Sequence, residues 1–149
     1  MSRITEQHAF MKHAIVASER STCIRRRIGA VVAADGKIVS TGYNGAPRGL
    51  PHCTDIGCLR DELEIESGTH HEVCRATHAE QNALMYAGFK QTLGADLYTT
   101  TYPCSICAKM IINAGIARIY YLVGYPDETA KKYLKQAGII IQQLVMPDD

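Results

Sequence analysis

The sequence predicts an α/β protein, a three-layer α/β/α sandwich on a mixed five-stranded sheet. Three observations carry that expectation. A helical period over residues 4–19 precedes two β-rich runs, Ile28–Ala33 and Ile38–Tyr43, that turn at Asp35-Gly36. After a long irregular stretch, helix and strand patterns alternate to the end, and crossover helices between parallel strands must cover both faces of a sheet. The 149 residues, 46% hydrophobic and 21% charged, suit one compact domain over residues 1–149.

Each element has a local reason. Ile4, His8, Met11, Ala14 and Ile15 recur on one helical face, with Thr5 or Ser2 available as the cap. Asp35-Gly36 tolerates the positive φ of a tight hairpin, which makes the first two strands an antiparallel pair. Residues 44–77 dissolve into Gly, Pro, Cys, His and charge, far longer than an ordinary connection, and read as a functional or metal-stapled insertion. A helix over 78–87 stopped by Gly88, a strand over 96–101 and a helix over 104–114 stopped by Gly115 follow. The chain closes with a strand over 117–123, a helix over 128–137 ended by Gly138, and a strand over 139–145. There is no internal repeat and no low-complexity tract.

Charge narrows the function classes. A formal net charge of +1 and a pI near 7.6 give no diffuse basic field, which argues against nucleic acid as the main partner. Arg25, Arg26 and Arg27 form the one local exception, and such a run is ordinarily a solvated face or a set of ion pairs. No secretory core opens the sequence and no stretch approaches the roughly 18 apolar residues of a membrane helix, so a cytoplasmic protein with no membrane partner is expected. In that reducing compartment the six cysteines are better read as metal ligands or reactive thiols than as three disulfides.

Two short motifs carry the chemistry. His78-Ala79-Glu80 opens one predicted helix and Pro103-Cys104-Ser105-Ile106-Cys107 opens another. A lone His-x-Glu is ordinarily surface decoration, and a lone Cys-x-x-Cys is equally a redox pair or half a structural zinc site. Together they are specific. Cysteines three apart in a first turn share a face, and the partial positive charge of the helix start favours their thiolates. With His78 as third ligand, a tetrahedral zinc keeps one corner for water and lowers the pKa of that water by roughly eight units. Glu80 lies about 200° round the helix from His78, so the two cannot ligate from one face. Glu80 is therefore the expected proton carrier and not a ligand.

These residues resemble the cytidine and deoxycytidylate deaminase superfamily, whose signature is His-x-Glu with Pro-Cys-x-x-Cys. The resemblance spans nearly the whole chain. It implies a cytidine deaminase-like fold and hydrolysis of an amidine C–N bond, with zinc-activated hydroxide attacking C4 of cytosine and Glu80 shuttling protons. Gly42-Tyr43-Asn44-Gly45-Ala46-Pro47 looks like the corresponding segment of deoxycytidylate deaminases, so nucleotide metabolism, with deoxycytidylate (dCMP) as substrate, is the leading expectation. Asn44 then offers donor and acceptor to the sugar 3′-hydroxyl. Arg26 and Arg48 are the candidates for the 5′-phosphate, and Tyr102 for packing on the base. Which of Arg25, Arg26 and Arg27 points inward stays open.

Cys23, Cys53, Cys58 and Cys74 remain, with His70 and His71 beside the last. Soft ligands clustered in a long loop suit a second, closed zinc, and similar phage enzymes carry one; the preferred set is Cys23, Cys53, His71 and Cys74, with Cys58 and His70 in reserve. The resemblance further implies a homohexamer, activated by deoxycytidine triphosphate (dCTP) with Mg2+ and inhibited by thymidine triphosphate (dTTP). Asn82 and Tyr86 fall where family regulators bind, and Tyr120 and Tyr121, on the strand after the second zinc helix, are expected to gate that communication. Two rivals stand against this reading. A tRNA-adenosine deaminase predicts a basic groove that the composition lacks, and a silent zinc module linked to DNA uptake has no need of Glu80.

Overall fold

The computed structural model describes residues 2–147. Helix α1 (Glu6–Ser18) leads into strands β1 (Gly29–Ala34) and β2 (Lys37–Tyr43). Thr5 caps α1, its hydroxyl accepting the His8 amide at 3.1 Å, so of the two expected caps the nearer one serves. Asp35 and Gly36 take φ of 53° and 74°, the turn the dipeptide foretold.

The long segment that follows is less structureless than its composition implied. It holds two single-turn helices, α2 (Cys53–Ile56) and α3 (Leu59–Glu62), and a 3-10 turn at His71–Val73. Its two ends are zipped together, Gly45 and Thr77 exchanging backbone hydrogen bonds of 3.1 and 2.8 Å. That clasp fixes where the next helix begins. Helix α4 (Ala79–Ala87) stops at Gly88 as expected, but the chain re-enters helix at once as α5 (Phe89–Thr92). Then come β3 (Asp96–Thr101), α6 (Ser105–Asn113), β4 (Arg118–Val123), α7 (Glu128–Gln136) and β5 (Ile140–Gln143).

The sheet order is β2-β1-β3-β4-β5, with β1 antiparallel to both neighbours and β3, β4 and β5 parallel. The mixed five-stranded sheet is thus as expected. Alternation along the strands sorts side chains into two cores. Val31, Ala33, Tyr98 and Tyr120 pack under Phe10, Met11 and Ala14 of α1. Ala30, Val32, Leu97 and Ile119 face α4, α6 and α7, through Ala83, Ile111 and Leu134 among others. Each fully buried side chain of this size contributes about 1.5–3 kcal/mol.

Two glycines set the spacing of the layers. A Cβ at Gly29 would lie 1.9 Å from the Ala14 carbonyl oxygen of α1, and one at Gly42 would lie 2.4 Å from that of Ala79 in α4. Helix and strand backbones therefore touch at both places. Ser40 donates to the Ala83 carbonyl at 2.6 Å and Asn82 to that of Tyr43 at 2.8 Å, tying α4 to β2 on either side of the Gly42 contact.

Candidate active site

The starts of α4 and α6 meet. His78 is the N-cap of α4, with extended backbone at φ −73° and ψ 154°, and Cys104 is the N-cap of α6, at φ −76° and ψ 171°. Both helices therefore begin one residue later than the sequence pattern placed them, and Pro103 precedes the cap. This settles the angular difficulty between His78 and Glu80. An N-cap side chain is free of the helical wheel, so His78 turns across to α6 while Glu80, inside the first turn, points into the same space.

His78 Nδ1 lies 3.2 Å from Cys107 Sγ and 3.5 Å from Cys104 Sγ. The ligand atoms of His78, Glu80 and Cys107 all fall within 4.8 Å of one another. Glu80 is only 2% exposed, and its Oε1 is buried with no hydrogen-bond partner among the described residues. Leaving such an oxygen unpaired is costly, so the site is built for a further group beside it. An imidazole and two thiols on one point are the donor set of zinc, and the residues fit that ion.

The titratable groups of the cluster are tightly coupled. A hydrogen bond from Cys107 first, and one from His78 next, hold the Cys104 thiol down to about 4 against the opposing effect of burial. Burial alone would depress His78, but its hydrogen bonds to Cys104 and Cys74 and the charge of Glu80 hold it up to about 10. Burial pushes the Glu80 carboxyl up from the usual carboxylate range. Without an ion the cluster holds its protons on His78 and on Cys107, whose thiol is pushed up by its hydrogen bond with Cys104 and by burial, so zinc binding would displace both protons while Cys104 is a thiolate already.

A cavity of about 410 Å³ opens over this cluster. Asn44, Arg25, Arg26, Thr101 and Tyr102 line it with His78 and Glu80, and Arg27 does not. Asn44 is 5% exposed and largely committed: its Oδ1 accepts from the Ile28 amide at 2.9 Å and from Ser21 Oγ at 2.5 Å, and its Nδ2 donates to the Arg26 carbonyl at 2.8 Å. One amide hydrogen remains for a ligand. Arg26 reaches Thr101 Oγ1 at 3.4 Å, and Tyr102 packs edge-on to Tyr121 with centroids 4.9 Å apart.

The remaining expected residues are dispersed. Arg48 and its partner Tyr86, 3.4 Å apart, line a second cleft of about 880 Å³ together with Asn82 and His52. Tyr120 lines neither cavity; it is stacked on Tyr98 in the α1-side core, centroids 4.7 Å apart. Cys23, Cys53, Cys58, His71 and Cys74 all border the metal cavity. Among the described residues, no three of Cys23, Cys53, His71 and Cys74 bring ligand atoms within 4.8 Å of one another, whereas His71 does so with His78 and Cys104.

Sequence reasoning missed Tyr125 and Arg60, which also line the metal cavity. Tyr125, 95% exposed, was findable in principle, because ligands of parallel sheets collect beyond the carboxyl ends of the strands and it follows β4 directly. Nothing around Arg60 in the irregular segment signalled its position.

Residues 4–123 match the family model for the cytidine and deoxycytidylate deaminase zinc-binding region. The chain is 39% identical to the deoxycytidylate deaminase of Saccharomyces cerevisiae over 143 residues, covering 94% of this chain and 45% of that protein. It therefore spans less than half the length of that relative. It is 35% identical to ComE operon protein 2 of Bacillus subtilis, covering 99% of this chain and 76% of that one. The crystal structure of dCMP deaminase from the cyanophage S-TIM5 in complex with dCMP and dUMP superposes with a TM-score of 0.74 at 31% identity, over 97% of this chain and 100% of that one.

Proposed function

Because the chain belongs to the cytidine and deoxycytidylate deaminase family, we propose that it hydrolyses dCMP to dUMP and ammonia as a single deaminase domain. The observation that carries this reading is the buried, unpartnered Glu80 oxygen beside the converging His78, Cys104 and Cys107. The cyanophage relative solved with dCMP and dUMP supports the choice of substrate.

His78, Cys104 and Cys107 would hold zinc, which would supply the polarisation that makes a water nucleophilic at neutral pH. Glu80 takes one proton from the attacking water to the ring nitrogen, then carries the second, from the hydroxyl now on C4, to the amino group, so that the C4–N bond breaks with release of ammonia as the carbonyl forms. Its raised carboxyl, the work of burial, suits a group that must both accept and release a proton. Tyr102 forms a wall for the base, the free amide hydrogen of Asn44 addresses the sugar, and Arg26 at the cavity edge addresses the 5′-phosphate.

Finer features belong to the same proposal. A second, structural zinc draws on Cys23, Cys53, His71 and Cys74, supported by their shared cavity; Cys58 is an alternative to His71, because Cys23, Cys58 and Cys74 all act electrostatically on Cys53. The cleft around Asn82 and Tyr86 takes dCTP with Mg2+ as activator or dTTP as inhibitor, and Arg48 is available there for phosphate. Exposed Met85, Tyr86, Phe89 and Leu93 support assembly into a homohexamer. No helix among the described residues is long and apolar enough to cross a membrane, in keeping with a cytoplasmic enzyme.

A second reading has one observation in its favour, the similarity to ComE operon protein 2. On that reading the chain is a zinc module without turnover. A single assay separates them: ammonia release from dCMP, deoxycytidine, cytidylate and an adenosine-containing RNA, each with and without dCTP. Preference for dCMP upholds the proposal. Turnover confined to RNA, or to the nucleoside, or absent altogether, removes it.

A further inference from the structure

Helix α3 contributes three consecutive charged residues, Arg60, Asp61 and Glu62, to the segment that borders the cavity. Two are already paired. Asp61 meets Arg25 Nε at 3.3 Å and Glu62 meets Arg75 Nη2 at 3.4 Å. Arg60 has no carboxylate within 4.0 Å among the described residues, yet it is only 9% exposed. Its Nη2 donates to the carbonyls of Thr69 at 3.0 Å and Glu66 at 3.5 Å, and its Nε is buried with no partner.

A guanidinium in a protein is a cation even when enclosed. Desolvating it without a counter-charge is unfavourable, so the surrounding structure expects an anion. The same cavity presents a second unmet donor of the same kind. Arg25 Nη1 is also buried and unpartnered, and Arg25 is bound through Asp61 to the residue next to Arg60. Two guanidinium donors from segments far apart in sequence are thus held by one ion pair at the border of one cavity. That arrangement matches a tetrahedral oxyanion, whose several oxygens accept from more than one fork.

We infer that Arg60, together with Arg25 positioned by Asp61, joins Arg26 in binding the 5′-phosphate of the substrate, so that the irregular segment bordering the cavity adds to the preference for nucleotide over nucleoside. The inference rests on the deaminase reading and adds a specificity-determining residue to it. Phosphate arriving between Arg25 and Arg60 would supply the counter-charge that this border of the cavity lacks.

The test compares zinc-loaded wild-type protein with Arg60→Gln and Arg60→Lys, each checked for zinc content. Affinities for dUMP and deoxyuridine are measured by calorimetry, and kcat/KM for dCMP and deoxycytidine by ammonia release. Arg60→Gln is expected to weaken dUMP binding by about 30-fold while deoxyuridine changes by less than about 2-fold, and Arg60→Lys to recover part of the difference. An unchanged ratio of nucleotide to nucleoside in Arg60→Gln overturns the inference. So does an equal fall for both ligands accompanied by loss of zinc, which would make Arg60 the counter-charge of the thiol cluster. A wild-type protein that neither binds dUMP nor turns over dCMP overturns the deaminase reading itself, and this inference with it.

Discussion

His78 Nδ1 and Cys107 Sγ lie 3.2 Å apart although 29 positions separate them, and each belongs to the start of a different helix. The contact depends on both chain entries being fixed. The Gly45–Thr77 bridge sets the first residue of α4, while the Tyr102 amide, donating to the Val123 carbonyl at 3.0 Å, anchors the turn that leads into α6. The proposed metal site is thus a property of two anchored helix starts, with the sheet as the ruler between them.

Glu80 places a carboxylate oxygen within 4.8 Å of the ligand atoms of His78 and Cys107, and on the proposed reading it carries protons there without ligating. Glu80→Gln preserves shape and removes the proton carrier, so it is expected to lower kcat by at least about 100-fold. Zinc bound at His78, Cys104 and Cys107 should remain at the wild-type level, measured by elemental analysis. Loss of the metal in this variant would assign Glu80 to the coordination sphere instead.

Gly42→Ala tests whether the close approach of α4 to β2 is required. The added methyl meets the Ala79 carbonyl oxygen at 2.4 Å and the Ala83 amide nitrogen at 2.6 Å, both backbone atoms that cannot swing aside. A cost of about 1–3 kcal/mol in a urea titration is expected. Because α4 carries His78 at its cap and Glu80 in its first turn, kcat should fall as well. Unchanged stability would show that the helix has room to retreat.

Much of this was readable in the sequence, and the failures have physical causes. The period of α1, the turn at Asp35-Gly36 and the stops at Gly88 and Gly115 are local signals, and all five strands appeared in the expected order. The convergence of His78, Glu80, Cys104 and Cys107 was legible because they sit at fixed offsets from helix starts. By contrast, α5 resumes straight after a glycine that ends α4, and the period of one turn is too short to register. Tyr120 was assigned from its neighbourhood in sequence, yet strand alternation sends it to the face opposite Tyr121. Arg48 and Arg60 lie in the segment between β2 and α4, where no periodicity tells which cavity a side chain meets.

Metal removal gives a further expectation. Stripping zinc with a chelator leaves the His78, Cys104 and Cys107 cluster without its cross-link, so the thermal midpoint should drop and activity disappear, both returning on addition of zinc. With the proposed structural site present, carefully prepared protein holds two zinc ions per chain and Cys53→Ser holds one. A single ion in the wild-type protein would remove the second site from the proposal.

The last prediction concerns α4 as a link between two cavities. Its first turn delivers Glu80 to the metal cavity, and its later turns deliver Asn82 and Tyr86 to the cleft where Arg48 lies. Asn82 already holds the Tyr43 carbonyl at 2.8 Å, so a ligand in that cleft acts on the same junction of α4 and β2 that Gly42 makes rigid. A bound triphosphate can therefore bias the position of Glu80 through one helix, without a rearrangement of the sheet. Coupling between sites of this kind is commonly about 5–150-fold. Tyr86→Ala, which removes an exposed ring from the cleft and the partner of the Arg48 guanidinium, should bring the ratio of dCTP-stimulated to unstimulated turnover close to one, read from ammonia release at subsaturating dCMP. A ratio equal to that of the wild-type protein would show that the effector, if it binds, does so elsewhere.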